Sequence, residues 1–264
     1  MNVSVVLPVR DGERYLRQAL DSLVGEGGDF ELVVVDDGST DATPEILRSY
    51  ADERLRVVRQ GRQGLVAALN RGVEEAHGST VARMDADDVS LPSRLERQHA
   101  VLAADERIGL VGCGVETIDA AGLATGSWLL PEDDGGLRRR LLLRNPFAHG
   151  SVVLRRAALE AAGGYRGDYG ANEDYDLWRR IAREWRLAAV PAVLYRYREH
   201  AQAVTKTGVD ERVESRERLR DELWREPALL RALRGERDRA ERRALVREAV
   251  RRRRYVAALR ATLP

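Results

Sequence analysis

Several features that would indicate a particular class of protein are absent from this 264-residue sequence. It contains one cysteine, Cys113, so it cannot form an intrachain disulfide, and nothing in it requires an oxidising compartment. No apolar run approaches 18 residues, so we expect no transmembrane helix. The first residues, MNVSVVLPVR, lack a basic segment followed by a long apolar one, so we expect no signal peptide. We therefore expect a cytoplasmic protein, with a peripheral contact at the inner membrane face left open.

The phosphate-binding motifs of two common classes are also missing. The absence of G-K-[ST] excludes a P-loop nucleotidase, and the absence of G-x-G-x-x-G after the first strand argues against a dinucleotide oxidoreductase. A nucleotidyltransferase would be expected to have a glycine-rich, basic loop after the first strand, and the segment LPVRDGERYL does not form such a loop. The formal net charge is +1, so we expect no nucleic-acid partner. The charge is uneven, however, because residues 210–264 carry 17 Arg against 11 acidic residues.

Four apolar runs alternate with segments of helical periodicity in the first part of the chain. The runs are VSVVLPV, FELVVVDD, LRVVRQ and STVARM, and each is predicted as a strand. The first two are continuously apolar and rich in β-branched residues, which is typical of strands buried on both faces. This alternation predicts a doubly wound, largely parallel sheet, which binds ligands at the carboxyl ends of its strands. Three of those ends carry residues of interest: Pro8–Arg10, Asp36–Asp37 and Asp85–Asp88.

The pattern changes near Ile108, where strands and helices no longer alternate regularly. We predict an α+β second half over residues 106–207, following a nucleotide-binding half over residues 1–105. RLAAVPAVLYRYR is predicted as two short strands separated by Pro191. Residues 208–264 are predicted as an Arg-rich helical extension that packs loosely on the body, or serves as a surface for a partner or a membrane.

The acids Asp85, Asp87 and Asp88 lie within four residues at the end of the fourth predicted strand. Like charges this close repel each other unless a cation joins them. One interpretation is a solvated acidic loop, and the other is a divalent metal that holds a diphosphate. Because the acids lie at the carboxyl end of a predicted strand, the metal site is as well supported as the solvated loop.

Three other segments admit both a structural and a functional interpretation. VVVDDGSTD is either an Asx-type turn or an acid that contacts a nucleobase or ribose. GANEDYDLW carries either acids that complement a helix dipole or a general base. In YRYREHAQAVT, Arg198 and His200 are either a structural pair or partners of a diphosphate.

Taken together and in this order, these segments resemble the family 2 glycosyltransferases, which are inverting enzymes of the GT-A fold. The resemblance covers roughly residues 2–205 and rests on six segments: VVLPVRDGERYL, ELVVVDDGSTDATPEIL, GLVAALNRGVEEAHGSTVARMDADDVSLPSRLERQ, NPFAHGSVVLRRAALEAAGGY, NEDYDLWRRIA and LYRYREHAQAVT. It implies an α/β fold with a Rossmann-like, mostly parallel nucleotide-binding half, an α+β acceptor half and a helical extension. The segment after the first strand is Val-Arg-Asp where the family often has Tyr-Asn.

The resemblance also implies roles for individual residues. Asp174 would be the catalytic base. The nucleotide-sugar would contact Pro8, Val9, Arg10, Glu13, Asp37, Gly64, Asn70, Asp85 and Ala86. Mg²⁺ or Mn²⁺ would be bound by Asp87 and His200. The diphosphate and the acceptor would be contacted by His149, Gly164, Tyr165, Glu173, Trp178 and Arg198.

The activity implied is that of a hexosyltransferase. A sugar would pass from a nucleotide-sugar to a hydroxyl of a glycan, a lipid-linked saccharide or a glycosylated metabolite, as in polysaccharide biosynthesis. We expect UDP in the donor, because the acid of VDDGS suits uracil. The alternative is a catalytically degenerate GT-A fold that binds nucleotide or acts as a scaffold.

Overall fold

The computed structural model describes residues 2–201, 209–226 and 239–251. Its first half contains four parallel strands in the spatial order β3-β2-β1-β4. The strands are β1 (Val3–Val9), β2 (Glu31–Asp37), β3 (Leu55–Gln60) and β4 (Thr80–Arg83). The helices that connect or follow them are α1 (Leu16–Val24), α2 (Thr43–Arg48), α3 (Leu65–Glu75) and α4 (Arg94–Ala104). The predicted doubly wound half is therefore present.

The second half extends the same sheet with antiparallel and parallel pairs. Its strands are β5 (Val89–Ser90), β6 (Ile108–Ile118), β7 (Ala124–Trp128), β8 (Val153–Arg155) and β9 (Arg186–Arg198). Its helices are α5 (Asp134–Leu143), α6 (Arg156–Ala161) and α7 (Glu173–Glu184). Strand β8 pairs antiparallel with both β4 and β6, and β9 runs parallel to β6. Among the described residues this gives one nine-stranded mixed sheet, in the order β3-β2-β1-β4-β8-β6-β9-β5 with β7 beside β6.

The sequence pattern explains why the first half forms a sheet covered on both faces. All seven residues of β1 are buried, and alternate residues of β1 and β2 belong to two separate apolar clusters. Val6, Val33 and Val35 belong to one cluster, and Val5 and Val34 belong to the other. A strand with helices packed on both faces buries every side chain, and a continuous run of β-branched residues is typical of such a strand.

The prediction that Pro191 separates two strands is wrong. Strand β9 continues through Pro191, which is exposed, and the pairing register with β6 shifts between Cys113 and Gly114. Because a bulge takes a residue out of the hydrogen-bonded ladder, the missing N–H of proline is tolerated there.

The prediction that the extension packs loosely is also wrong for its described part. Helices α8 (Val209–Leu223) and α9 (Arg239–Arg251) pack on α5 and on each other, and Leu219, Leu223 and Trp224 are buried there. The predicted boundary at residues 207 and 208 lies outside the described residues. Nowhere in the described ranges does a helix combine the length and apolar character needed to cross a membrane.

Candidate active site

The carboxyl ends of β1, β2 and β4 lie side by side, so the polar residues predicted there share one edge of the sheet. At the end of β2 the two neighbouring acids have different partners. Asp36 Oδ1 accepts a hydrogen bond from the backbone N–H of Ser39 (2.9 Å), which is the Asx-type turn considered for this segment. Asp37 instead accepts from the Gln60 side chain and from the backbone of Gln63, each at 2.8 Å.

The surroundings of Asp37 keep it ionised. A further hydrogen bond reaches its Oδ2 from the backbone N–H of Gly64 (2.8 Å). Burial raises the pKa of this carboxyl, but the three donors and the positive charge of Arg10 outweigh it, so the pKa lies below its ordinary value. Asp37 is thus a fixed anion at the strand end, suited to accept a hydrogen bond from a ligand.

The loop after β1 is tied to the loop after β2. Glu13 Oε2 accepts from the backbone N–H of Ala42 (3.0 Å), and the Glu13 N–H donates to Asp41 (2.9 Å). Pro8 and Val9 are buried in β1, whereas the side chain of Arg10 is exposed at the end of the strand. The predicted contacts of these residues with a nucleotide stay predictions.

Asn70 lies in α3 and contacts the segment that precedes α7. Its side-chain amide donates to the Tyr165 carbonyl and accepts from the Tyr165 N–H, both at 3.0 Å. A Cβ on Gly164, whose φ is +68°, would lie 3.0 Å from Asn70 Oδ1. Asn70 and Gly164 therefore join the first half of the fold to the second half, and their predicted ligand contacts stay predictions.

The three acids after β4 have three different environments. Asp85 pairs with the buried guanidinium of Arg83 (2.5 Å), and Asp87 contacts His200 Nε2 (2.8 Å). Asp88 is fully buried, and its Oδ1 accepts from the backbone N–H of Arg198 (2.7 Å). Burial and the charges of Asp85 and Asp87 raise the pKa of Asp88 well above its ordinary value. Arg83 therefore compensates the charge of Asp85, and the crowding of the three acids shows in the raised pKa of Asp88.

Asp87 and His200 form the donor set predicted for a divalent metal. The carboxylate oxygen and the imidazole nitrogen face each other, and Ala86 lies partly exposed beside them. No group of three His, Cys, Asp or Glu side chains in the described ranges could hold a metal alone. Mg²⁺ commonly takes one or two carboxylates together with substrate phosphates and waters, so the two side chains fit an ion shared with a diphosphate.

Arg198 holds the backbone around this pair. Its guanidinium donates to the carbonyls of Asp87 (2.8 Å) and Asp119 (3.2 Å) and to the side chain of Gln18. The same guanidinium lies over the Tyr15 ring (4.5 Å), and the His200 ring packs against that tyrosine as well. The predicted contact of Arg198 with the diphosphate stays a prediction.

Asp174 lies in the first turn of α7 with few donors around it. Its Oδ2 accepts from Asn145 Nδ2 (2.7 Å), and its Oδ1 accepts from the Tyr175 N–H (2.6 Å). Burial raises its pKa to about 6 and the negative charge of Glu173 adds to the effect, although His149 and the two hydrogen bonds oppose it. A carboxylate with such a pKa can take up a proton near neutral pH.

Four residues that were predicted to contact the sugar acceptor or the diphosphate lie near Asp174: His149, Tyr165, Glu173 and Trp178. His149 Nε2 lies 3.1 Å from the Tyr165 hydroxyl, and its Nδ1 lies 3.5 Å from Glu173. The His149 ring packs edge-on against Trp178, which is fully buried. Burial and the positive charge of Arg83 lower the pKa of His149 to about 4, so the imidazole is neutral at pH 7.

Gly150 brings the two parts of the site together. It follows His149 in a 3₁₀ turn (His149–Ser151), and a Cβ added to it would lie 2.6 Å from Asp85 Oδ2 and would overlap the Tyr195 hydroxyl. Only a glycine lets this turn approach the acids after β4 so closely. The turn therefore connects the donor side, at Asp85, with the side that carries Asp174.

Sequence reasoning missed several residues that shape the site. Arg83 had a signal, because a charged residue within an apolar strand such as STVARM must find a buried partner. Gln60, Asn145 and Tyr195 had none, since their importance comes from contacts with residues distant in sequence.

Comparison with known proteins identifies the family of this chain. The family model described as Glycosyl transferase family 2 matches residues 4–163, more than half of the chain. The O-antigen biosynthesis glycosyltransferase WbnJ of Escherichia coli is 30% identical over 214 residues, which cover 78% of this chain and 83% of WbnJ. EpsE of Bacillus subtilis (strain 168), whose glycosyltransferase name is provisional, is 33% identical over 76% of this chain and 74% of its own length. The chain belongs to glycosyl transferase family 2, and its activity is glycosyl transfer.

Solved structures share the fold. TarS of S. aureus in complex with UDP-GlcNAc aligns with a TM-score of 0.67 at 19% identity, over 96% of this chain and 72% of TarS. The mannosyltransferase PcManGT of Pyrobaculum calidifontis, in complex with GDP-Man and Mn²⁺, aligns with a TM-score of 0.62 at 23% identity, over 100% of this chain and 76% of its own. The fold is therefore the GT-A fold, as the sequence predicted.

Proposed function

We propose that this protein transfers a hexose from a UDP-sugar to a hydroxyl of a saccharide acceptor, with inversion at the anomeric carbon. The observation that carries this proposal is Asp174, a carboxylate at the helix N-terminus whose burial raises its pKa to about 6. General bases work best when their pKa lies near the pH of the reaction. Structural acids at a helix N-terminus need no such shift.

In this reaction Asp174 accepts the proton of the acceptor hydroxyl while the oxygen attacks the anomeric carbon of the donor. The new glycosidic bond forms as the bond from that carbon to the diphosphate breaks, and UDP leaves with the electron pair. Attack comes from the face opposite the diphosphate, which inverts the configuration. Asn145 holds the carboxylate in place through its 2.7 Å hydrogen bond, and neutral His149 does not compete for the proton.

Asp87 and His200 would hold Mg²⁺ or Mn²⁺, which would neutralise the negative charge of the departing diphosphate. The Mn²⁺ complex of PcManGT supports a divalent ion in this fold. Asp85 is held beside them by Arg83, where it can accept a hydrogen bond from the donor ribose. The exposed Arg10 supplies a cation at the same edge of the sheet.

We infer that the nucleotide is UDP and that Asp37 contacts its base. Asp37 remains ionised between three protein donors, and an anionic acceptor of this kind suits the N–H of uracil. TarS, which was solved with UDP and with UDP-GlcNAc, supports a UDP-sugar on this fold. WbnJ is named for O-antigen biosynthesis, and this supports a growing bacterial glycan as the acceptor. Such a glycan, when carried by a lipid, would be reached from the cytoplasmic face of the membrane.

The experiment that tests the donor is a calorimetric titration of UDP, GDP and dTDP, each with Mn²⁺ and with EDTA. We expect UDP to bind tightest and to require the metal, and we expect this metal-dependent binding to be lost in Asp87→Ala. Asp105→Ala is the control, because this acid lies far from the strand ends and pairs with Arg107 and Arg186. Preference for GDP would overturn the UDP assignment, and binding without turnover on any acceptor would favour the degenerate, nucleotide-binding alternative.

A further inference from the structure

Helix α8, from the C-terminal extension, contacts the segment that carries Asp174. Glu222 Oε1 accepts a hydrogen bond from the Tyr169 hydroxyl (2.7 Å), and its Oε2 pairs with Arg179 (2.7 Å). Tyr169 lies in the loop before α7, and Arg179 lies within α7. One carboxylate of α8 therefore ties the loop to the helix, on both sides of Asp174 in the sequence.

A second set of contacts holds the first residues of α7. Asn172 is the N-cap residue of this helix, two positions before Asp174, and its side-chain amide donates to Ser215 Oγ (2.8 Å). The guanidinium of Arg218 donates to the carbonyl of Asp168 in the preceding loop. The position at which α7 begins is thus fixed from α8.

The same helix also holds the donor to Asp174. Trp224, directly after α8, is fully buried, and its indole N–H donates to the Leu142 carbonyl (2.9 Å). Leu142 lies at the C-terminal end of α5, three residues before Asn145, whose amide reaches Asp174. The extension therefore fixes both partners of the Asn145–Asp174 hydrogen bond.

The link through Arg179 is buried on the side of α7. The Arg179 side chain is 8% exposed and lies between Glu222, which is 34% exposed, and Asp176, which is 0% exposed. Arg179 Nη1 also lies 3.4 Å from Glu226, so the guanidinium keeps Asp176 and Glu226 as partners when Glu222 is removed. What is lost with Glu222 is the bridge between Tyr169 in the loop and Arg179 in the helix. Loss of Glu222 should therefore loosen the loop before α7 and the first turn of that helix.

We propose that α8 is part of the catalytic machinery, and that Glu222 is a positioning residue for Asp174. This inference rests on the proposed role of Asp174 as the base. The family model ends at residue 163, so neither α7 nor α8 falls within the family match. The proposed role of Glu222 rests on its contacts with Tyr169 and Arg179.

The test compares Glu222→Ala and Glu222→Gln with Glu248→Gln. Glu248→Gln is the control, since it makes the same chemical change in the same extension. Glu248 pairs with Arg220 of α8 (2.8 Å) and Arg251 of α9 (2.9 Å). Transfer is measured as UDP release from a panel of UDP-sugars on saccharide acceptors, and UDP affinity is measured with Mn²⁺. All assays are run well below the Tm of each variant.

We expect Glu222→Ala to lower kcat by about tenfold to a hundredfold, the cost typical of a small misplacement of a catalytic group. The Kd of UDP should not change, since its pocket lies at the strand ends of the other half. Glu222→Gln should lose less, because its amide oxygen still accepts one hydrogen bond. Glu248→Gln should lower the Tm without changing kcat. A loss of kcat equal in the control, or a parallel loss of UDP affinity, would overturn the inference.

Hydrogen exchange tests the same inference without turnover. We expect backbone amides of residues 165–176 to exchange faster in Glu222→Ala than in wild type, and to be unchanged in Glu248→Gln. Unchanged exchange together with unchanged kcat would refute the positioning role, whatever the reaction is. If instead Asp174→Asn retains more than about a hundredth of the wild-type activity, the proposed base is wrong, and this is a separate failure.

Discussion

Replacing Asp174 with asparagine should abolish transfer and, at neutral pH, stabilise the fold. The folded-state pKa of Asp174, about 6, lies above the ordinary value of 3.8. Between these two pH values the folded state binds more protons than the unfolded state, so the unfolding free energy falls as the pH rises through this window. At pH 7 the ionised carboxylate therefore costs stability, and the neutral amide does not.

The magnitude follows from the same values. A shift of about 2 pKa units corresponds to at most about 3 kcal/mol. Asparagine places an NH2 donor where one of the two carboxylate oxygens stood, so it loses the hydrogen bond from either Asn145 or Tyr175, and this loss offsets about 1 kcal/mol. We expect a net gain of about 2 kcal/mol at neutral pH, or roughly 4–8 °C in Tm for a chain of this size.

The assay is denaturant unfolding of wild type and Asp174→Asn at about pH 7.5 and about pH 4.5, with kcat measured in parallel. The stability gain should vanish at the lower pH, where the wild-type carboxyl is protonated in the folded protein. Transfer should fall by about 10²–10⁴, the usual contribution of a general base. A stability difference from wild type that is the same at both pH values would refute the raised pKa of Asp174. A variant that retains more than about a hundredth of the activity would assign the base elsewhere.

Three further substitutions test the packing around the site. Gly150→Ala should cost about 1–3 kcal/mol and weaken UDP binding, because the new methyl group would lie 2.6 Å from a site carboxylate; Gly167→Ala, with nothing within 4 Å of its Cβ, is the control in thermal unfolding. Trp224→Ala should cost about 3–5 kcal/mol by leaving a cavity, measured by urea unfolding. Asn145→Ala removes a hydrogen bond that lowers the pKa of Asp174, so the acidic limb of the kcat–pH profile should move to higher pH.

The nucleotide-binding half could be predicted from the sequence because its signals are local. Uninterrupted β-branched runs fix β1 and β2 as strands covered on both faces, and each run ends directly at its polar residues. Parallel pairing then brings Asp37 and Asp85 to one edge without further information. Asp174 was found through the family resemblance, because acids in a first helical turn are usually explained by the dipole.

The second half could not be predicted in the same way, because its order depends on pairing between distant segments. The insertion of β8 between β4 and β6 follows from contacts more than 40 residues apart, and no local pattern encodes them. The extension carried a weak signal in Leu219 and Leu223, which are four residues apart on one helical face. Its many charges obscured that signal, since several of them are partners in ion pairs with α7 and α9 rather than solvated groups.

Asp37 and Asp174 explain how one site can use carboxylates for opposite purposes. Three protein N–H groups surround Asp37 and keep its pKa low, so it stays an anion and can only accept hydrogen bonds. Asp174 has one side-chain donor and one backbone donor and is partly buried, and burial raises its pKa to about 6, where it can exchange a proton near neutral pH. This separation of pKa values supports the proposal that Asp37 binds the nucleotide and that Asp174 is the base. Because the donor to Asp174 comes from the end of α5, and α8 fixes that end, the extension helps to set this difference.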